Sequence, residues 1–169
     1  MRKILTIDDK QEWSTYVKRA LHYDFYHTWY YHSLDKSGFP ILFVYEEGEN
    51  YIAFPLLKRN IPCSDFFDFT SVYGYTGPIS NMDFNALDDD FMERFKNTFI
   101  AFLKTGQNVT VFSRLHPFFH QERLMEKFSG VYANGKTVVI DLTTTIESQR
   151  AGYRKSVKEK NPTPAKAGL

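Results

Sequence analysis

The chain has 169 residues, of which 43% are apolar and 24% charged, and this indicates one folded domain rather than a disordered protein. The net charge is +1, so no overall field predicts binding to nucleic acid or to a membrane surface. A single cysteine, Cys63, excludes an intrachain disulfide and any metal site built from several cysteines.

The beginning of the chain does not resemble an export signal. Its first residues, MRKILTIDD, reach the acidic Asp8 before a long apolar stretch can develop. The longest apolar runs, residues 41–44 and 52–57, are much shorter than the roughly 20 residues that span a bilayer. We therefore expect a cytoplasmic protein without a transmembrane segment.

The first predicted elements are a short strand at residues 4–7 and a helix that runs to about Leu21. Asp8 or Asp9 can cap this helix at its N-terminus. Apolar residues recur at helical spacing and predict its buried face: Trp13, Tyr16, Val17 and Ala20.

A second short helix and a hairpin follow. Thr28 can cap a helix that ends near Ser37. Residues 39–45 and 51–58 are β-type runs, and the polar turn between them contains Gly48, which predicts a β-hairpin.

The longest predicted helix covers residues 85–104. Its phenylalanines lie at steps of three and four, which predicts one core-facing stripe: Phe91, Phe95, Phe99 and Phe102. The acidic run at residues 88–90 favours the positive end of the helix dipole, so we interpret it as a solvated helix start. A buried strand is predicted at residues 109–112.

The last third of the chain predicts a short helix at residues 120–128, a strand at residues 136–142 and a helix that begins near Ile146. The three threonines at residues 143–145 can cap that last helix. Helices that alternate with strands in this way predict an α/β protein with a mixed sheet.

The aromatic-glycine loop, residues 71–78 (SVYGYTGP), is the most distinctive string. Glycine lets the main chain approach a ligand closely, and Tyr73 and Tyr75 offer flat apolar faces with polar rims. Such a loop suits sugars, nucleobases or peptides. The alternative is a tight turn whose tyrosines cover the core.

Two other groups of residues are candidates for chemistry. His116 and His120 have the spacing of helical metal ligands, but Pro117 lies between them and no glutamate follows the first histidine, so we predict no metal site. Arg150, Arg154 and Lys158 would line one face of a helix, which either holds phosphates or is a solvated helix end.

Taken in order, several strings resemble the first half of the FemAB-like acyltransferases, which are relatives of the GNAT superfamily. The strings are YHTWY at residues 26–30, the aromatic-glycine loop, SRLHP at residues 113–117, VVIDLT at residues 138–143 and GYRKS at residues 152–156. The resemblance covers nearly the whole chain.

This resemblance implies a GNAT-like domain at residues 1–160, with a twisted mixed sheet flanked by helices. Full-length members pair two such domains and transfer an acyl or aminoacyl group to an amine. The best-known members extend peptidoglycan precursors during cell-wall biogenesis. The implied co-substrate is acyl-CoA or aminoacyl-tRNA, with no permanently bound cofactor, and the implied partners are a cell-wall-precursor acceptor and a second GNAT-like domain.

The resemblance also implies roles for particular side chains. The residues that would shape the acceptor pocket are Tyr73, Tyr75, Arg114 and His116. The residues that would face phosphate or the partner domain are Arg154, Lys155 and Lys158. No residue is identified as the catalytic base.

The chain departs from the family pattern at residues 161–169. Pro162 and Pro164 break any helix there, so this segment predicts an irregular tail of a truncated product that lacks the second domain. Two alternatives to an acyltransferase therefore remain. One is a non-catalytic binding module for a nucleotide sugar or glycan, and the other is an inactive truncated product.

Overall fold

The computed structural model describes the backbone of residues 1–160 and the side chains of residues 1–157. The chain divides into two compact units, Met1–Ala133 and Asn134–Leu169. The tail at residues 161–169, which the sequence predicts to be irregular, lies outside the described residues.

The first unit contains one mixed sheet. Its strands are β1 (Arg2–Thr6), β2 (Phe39–Glu47), β3 (Asn50–Asn60), β4 (Phe67–Thr70), β5 (Ile79–Ser80) and β6 (Asn108–Phe112). The strand order is β1-β2-β3-β4-β6, and β5 pairs with β3. All pairs are antiparallel except β4 and β6, which run parallel. The predicted α/β class with a mixed sheet is confirmed.

The helices of the first unit are α1 (Lys10–Arg19), α2 (Trp29–Leu34), α3 (Asp89–Thr105) and α4 (Glu122–Glu126), and a 3₁₀ turn lies at Phe25–His27. The predicted cap of α2 is confirmed, because the Thr28 hydroxyl accepts a hydrogen bond from Tyr31 N. Asp9 is the N-cap residue of α1, which is one of the two predicted positions, but its carboxylate does not bond the helix and instead accepts from the backbone N–H and hydroxyl of Thr6.

The helices cover both faces of the sheet. Successive residues of a strand point to opposite faces, so Phe43 and Phe54 pack in a core with α3, whereas Leu42 and Ala53 pack in a second core with α1. The central strands β2 and β3 are therefore apolar on both sides, as their continuous hydrophobic runs suggest.

The predicted phenylalanine stripe on α3 is core packing. Phe91, Phe95 and Phe99 are buried, and Phe102 is partly buried against the same core. The helix begins later than predicted because the Asp88 carboxylate accepts a hydrogen bond from Phe91 N and caps it there.

The hairpin of β2 and β3 is confirmed and is longer than predicted. Its strands pair from Phe39 with Lys58 to Glu47 with Asn50. Gly48 has φ +59°, a left-handed conformation that glycine adopts without steric cost.

The second unit contains two short helices, α5 (Ile146–Ala151) and α6 (Lys155–Lys160). The Thr145 hydroxyl accepts a hydrogen bond from Ser148 N, so the predicted threonine cap of α5 is confirmed. The strand predicted at residues 136–142 is wrong. These residues have no regular structure, and Val138 is 88% exposed. A strand needs a hydrogen-bonded neighbour, which apolar alternation alone cannot supply.

The basic helix predicted from Arg150 to Lys158 is also interrupted. α5 ends at Ala151, and Gly152 serves as its C-cap. Arg154 therefore lies between α5 and α6 rather than on one helical stripe with Arg150. Glycine costs about 1 kcal/mol in a helix interior, which favours this break.

Candidate functional site

The aromatic-glycine loop at residues 71–78 follows β4 and leads into β5. Gly74 and Gly77 have φ +123° and +70°, a region that side chains rarely tolerate. The Tyr26 ring packs directly on Gly74, where a β-carbon would overlap it. Tyr73 is 80% exposed and Tyr75 is 41% exposed, so these rings do not fill the core. The alternative that both tyrosines are core residues is therefore wrong.

The segment that follows β6 lies beside this loop. Thr76 N donates a hydrogen bond to Arg114 O at 2.9 Å, and Thr76 forms a parallel bridge with Leu115. Ser71 N donates to Phe112 O at 2.9 Å. The parallel pairing of β4 with β6 thus continues past both strands, and it brings the two loops together at the same end of the sheet.

The Gln121 side chain bridges the two loops by hydrogen bonds. Its side chain is fully buried; the amide Nε2 donates to Thr76 O at 2.8 Å and to Pro78 O at 2.7 Å. Its Oε1 accepts from His116 N at 2.6 Å. One amide therefore satisfies three main-chain groups, and it fixes the spacing between the aromatic-glycine loop and His116.

His27 also bonds the main chain of the aromatic-glycine loop. Its Nδ1 accepts from Asp24 N at 2.9 Å, which leaves Nε2 to carry the proton and donate to Thr76 O at 2.8 Å. Burial lowers the pKa of His27 to about 4, although the hydrogen bonds to Thr76 and Asp24 oppose the shift. The ring is therefore neutral at pH 7.

His116 is a mostly buried ring next to the loop, with 11% of its side chain exposed. It stacks on Phe119 with centroids 3.6 Å apart, and its Nε2 lies 3.4 Å from Asp24 Oδ2. Its Nδ1 accepts a hydrogen bond from Phe118 N at 3.3 Å. Burial lowers the pKa of His116, and the nearby Asp24 carboxylate opposes this shift. The imidazole is thus neutral at pH 7, with both ring nitrogens engaged.

Arg114 is held by rings rather than by a carboxylate. Its guanidinium carbon lies 5.3 Å from the Phe112 centroid and 5.8 Å from the Tyr73 centroid. Among the described residues no carboxylate lies within ion-pair distance of it. Its N–H donors are therefore positioned to meet an anionic or polar group of a ligand.

Further aromatic rings extend this surface. The Tyr31 hydroxyl donates to Tyr73 O at 2.9 Å, and the Tyr31 ring contacts Phe25 and Tyr26 with centroids 4.8 and 5.2 Å apart. We call the surface of Phe25, Tyr31, Tyr73, Tyr75, Arg114 and His116 the aromatic face. It offers flat apolar rings, one cation and hydroxyl groups to a ligand.

Four of the predicted site residues meet at this face. Tyr73 is next to Arg114, and Tyr75 meets His116 edge to face with centroids 6.4 Å apart. The remaining three belong to the second unit: Arg154 lies between its helices, Lys155 begins α6 and Lys158 lies within α6.

Sequence reasoning missed Asp24 and Gln121 as supports of the face. Asp24 lies three residues before His27, and the two form a reciprocal capping box around the 3₁₀ turn, a signal that the spacing could have provided. Gln121 carries no such signal, because a lone glutamine usually lies on the surface.

No group of three or more histidine, cysteine, aspartate or glutamate residues in the described part of the chain is arranged to hold a metal ion. None of the helices within residues 1–160 is long and apolar enough to cross a membrane. No family model, no curated protein and no solved structure matches the chain. A function for the aromatic face must therefore be argued from its geometry and chemistry.

Proposed function

We propose that this protein is an acyl- or aminoacyltransferase domain of the FemAB/GNAT type, and that its aromatic face binds the amine acceptor. The observation that carries the proposal is that two segments distant in sequence lie side by side in the structure. Residues 71–78 and 113–117 each resemble the family, and Thr76 N bonds Arg114 O where they lie side by side. A mixed sheet with helices on both faces agrees with a GNAT-like fold.

The face suits an acceptor that combines an apolar or sugar-like surface with a polar group. Tyr73 offers an exposed ring, and Arg114 is fixed beside it by cation–π contacts. Arg114 already lies against aromatic rings, so it loses little side-chain entropy when it binds a ligand. A cell-wall precursor peptide attached to a sugar is an acceptor of this kind.

The proposed reaction forms an amide. The acceptor amine attacks the carbonyl carbon of an activated acyl group, a C–N bond forms, and the C–S bond of an acyl-CoA or the C–O bond of an aminoacyl-tRNA breaks. The amine proton leaves with the departing thiol or hydroxyl group or passes to solvent. This domain supplies acceptor positioning, and a second GNAT-like domain supplies the rest of the donor site.

Acceptor binding and transfer are tested together. A lysine-containing stem peptide of peptidoglycan is titrated into the purified chain by calorimetry, and transfer from acetyl-CoA and from aminoacyl-tRNA is followed by mass spectrometry. We expect Tyr73→Ala and Arg114→Gln each to weaken peptide binding about tenfold, or about 1.4 kcal/mol. The matched control is Tyr132→Ala, because Tyr132 is 86% exposed outside the face.

The acceptor proposal fails if the stem peptide does not bind, or if Tyr132→Ala weakens binding as much as Tyr73→Ala does. Unchanged melting temperatures of the variants show that the fold is intact, since Tyr73 is mostly exposed. The transfer proposal fails if peptide binds and neither donor reacts, with or without a second GNAT-like domain.

A non-catalytic glycan-binding module is the second candidate. The state of His116 favours it, because both ring nitrogens are engaged and neither is free to accept a proton. On this hypothesis, a glycan binds the face at Tyr73 and Arg114 and no acyl donor reacts with it. A glycan array with wild-type chain and the Tyr73→Ala variant separates the two candidates.

A further inference from the structure

A concave site lies on the exposed face of α1, apart from the aromatic face. It is a pocket of about 490 Å³, lined by Lys10, Gln11, Ser14, Thr15, Lys18 and Tyr30. We call it the α1 pocket. Its described lining contains two cations and no carboxylate, so its electrostatic preference is for an anion.

Lys10 is held in a defined position within this pocket. Its ammonium nitrogen lies 4.5 Å from the Trp29 ring centroid and 4.4 Å from the Tyr30 ring centroid. The Trp29 ring is itself fixed, because its Nε1 donates to Ile7 O at 2.8 Å. Aromatic rings carry no net charge, so they orient the ammonium group without neutralising it.

Lys18 lies two turns further along the same helix, about 12 Å from Lys10 between Cα atoms. Ser14 lies midway between the two lysines on the same face of the helix. Neither lysine is within ion-pair distance of a carboxylate in residues 1–157, and Glu12 is instead paired with Lys3 at 2.8 Å.

We propose that the α1 pocket binds the phosphate group of a phosphate ester. Two ammonium groups supply charge-assisted donors, and the Ser14 hydroxyl and Gln11 amide supply neutral donors between them. A pocket of this volume falls within the usual range of small-molecule sites, so it has room for an organic group beside the phosphate. The exposed Tyr30 ring offers that group an apolar contact. The proposal is independent of the aromatic face, with which it shares no residue.

The test is a titration of the ¹⁵N-labelled full chain at a constant ionic strength of about 0.1 M, where long-range attraction is screened. Inorganic phosphate and phenyl phosphate are the probes, and the ring of phenyl phosphate tests the contact with Tyr30. We expect saturable shifts of the Gln11, Ser14 and Thr15 amides, with tighter binding of phenyl phosphate. Lys10→Gln and Lys18→Gln should each weaken binding of either probe at least fivefold.

The matched control is Lys104→Gln, which removes an exposed lysine from the last turn of α3. It should leave binding unchanged. The proposal is overturned if neither probe gives saturable shifts at these amides, or if Lys104→Gln weakens binding as much as Lys18→Gln does. Lys18 is exposed and contacts no ring among residues 1–157, so its substitution tests the pocket even if Lys10→Gln perturbs the packing of Trp29.

Discussion

Replacing Gln121 by methionine tests how the two loops of the aromatic face are held together. Methionine has nearly the volume and flexibility of glutamine, so Gln121→Met leaves little cavity. It removes the amide that donates to Thr76 O and Pro78 O and accepts from His116 N. The change therefore isolates hydrogen bonding from packing at a fully buried position.

The expected cost follows from the groups that lose a partner. Thr76 O keeps the hydrogen bond from His27 Nε2, whereas Pro78 O and His116 N lose their bond to the glutamine. A buried polar group left unpaired costs about 1–3 kcal/mol, so the loss at the buried Pro78 O should lower the free energy of unfolding by about that amount, and the part-buried His116 N adds less because water can reach it. This is a large fraction of the about 5–15 kcal/mol that stabilises a typical domain.

Urea unfolding at pH 7.5, followed by tryptophan fluorescence, measures the change, because Trp13 is fully buried in the first unit. The control is Gln11→Met on the exposed side of α1, which should stay within about 0.5 kcal/mol of wild type. If Gln121→Met costs less than about 1 kcal/mol, the amide does not hold the two loops, and the reasoning is refuted.

Three further predictions concern the same unit. Gly77→Ala should cost about 1–2 kcal/mol or more in a thermal melt, because φ is +70° and the new methyl group meets the Gln121 amide; an unchanged melting temperature would contradict this. Phe99→Ala should cost about 3–5 kcal/mol in urea unfolding, and a loss below about 1 kcal/mol would show that its ring is not core. Burial holds the pKa of His27 and of His32 at about 4, below the ordinary value of 6.5, so the unfolded chain binds protons first. The contribution of these two neutral histidines to the free energy of unfolding should be complete above about pH 6.5. Below that pH it should fall by about 1.4 kcal/mol per pH unit for each histidine, down to about pH 4. Urea midpoints that stay flat between pH 7.5 and 5 would contradict this.

The elements with strong local signals could be read from the sequence. The phenylalanine spacing of α3, the polar turn at Gly48 and the caps at Thr28 and Thr145 depend on residues within a few positions of each other. Local spacing and local hydrogen bonds are present in the sequence itself, so these features were predicted correctly.

Elements that need a distant partner were predicted less well. Residues 136–142 have the composition of a strand, but composition does not show whether another strand lies alongside, and the segment is irregular. The basic stripe of Arg150, Arg154 and Lys158 requires one continuous helix, and Gly152 ends that helix early. The predicted strand therefore failed for want of a distant partner, whereas the helix break at Gly152 is a local effect of glycine that the sequence could have indicated.

For the candidate site, the sequence alone indicated two candidate segments: a glycine loop with Tyr73 and Tyr75, and a second segment with Arg114 and His116. Only the tertiary structure decided that they share one surface, because β4 and β6 pair in parallel and carry both loops to the same end of the sheet. The hydrogen bonds of His27 and Gln121 to Thr76 O also exist only in the tertiary structure, whereas the Asp24–His27 contact is local. A hydrogen bond between residues some 45 positions apart has no local signature, and it exists only once the sheet has formed.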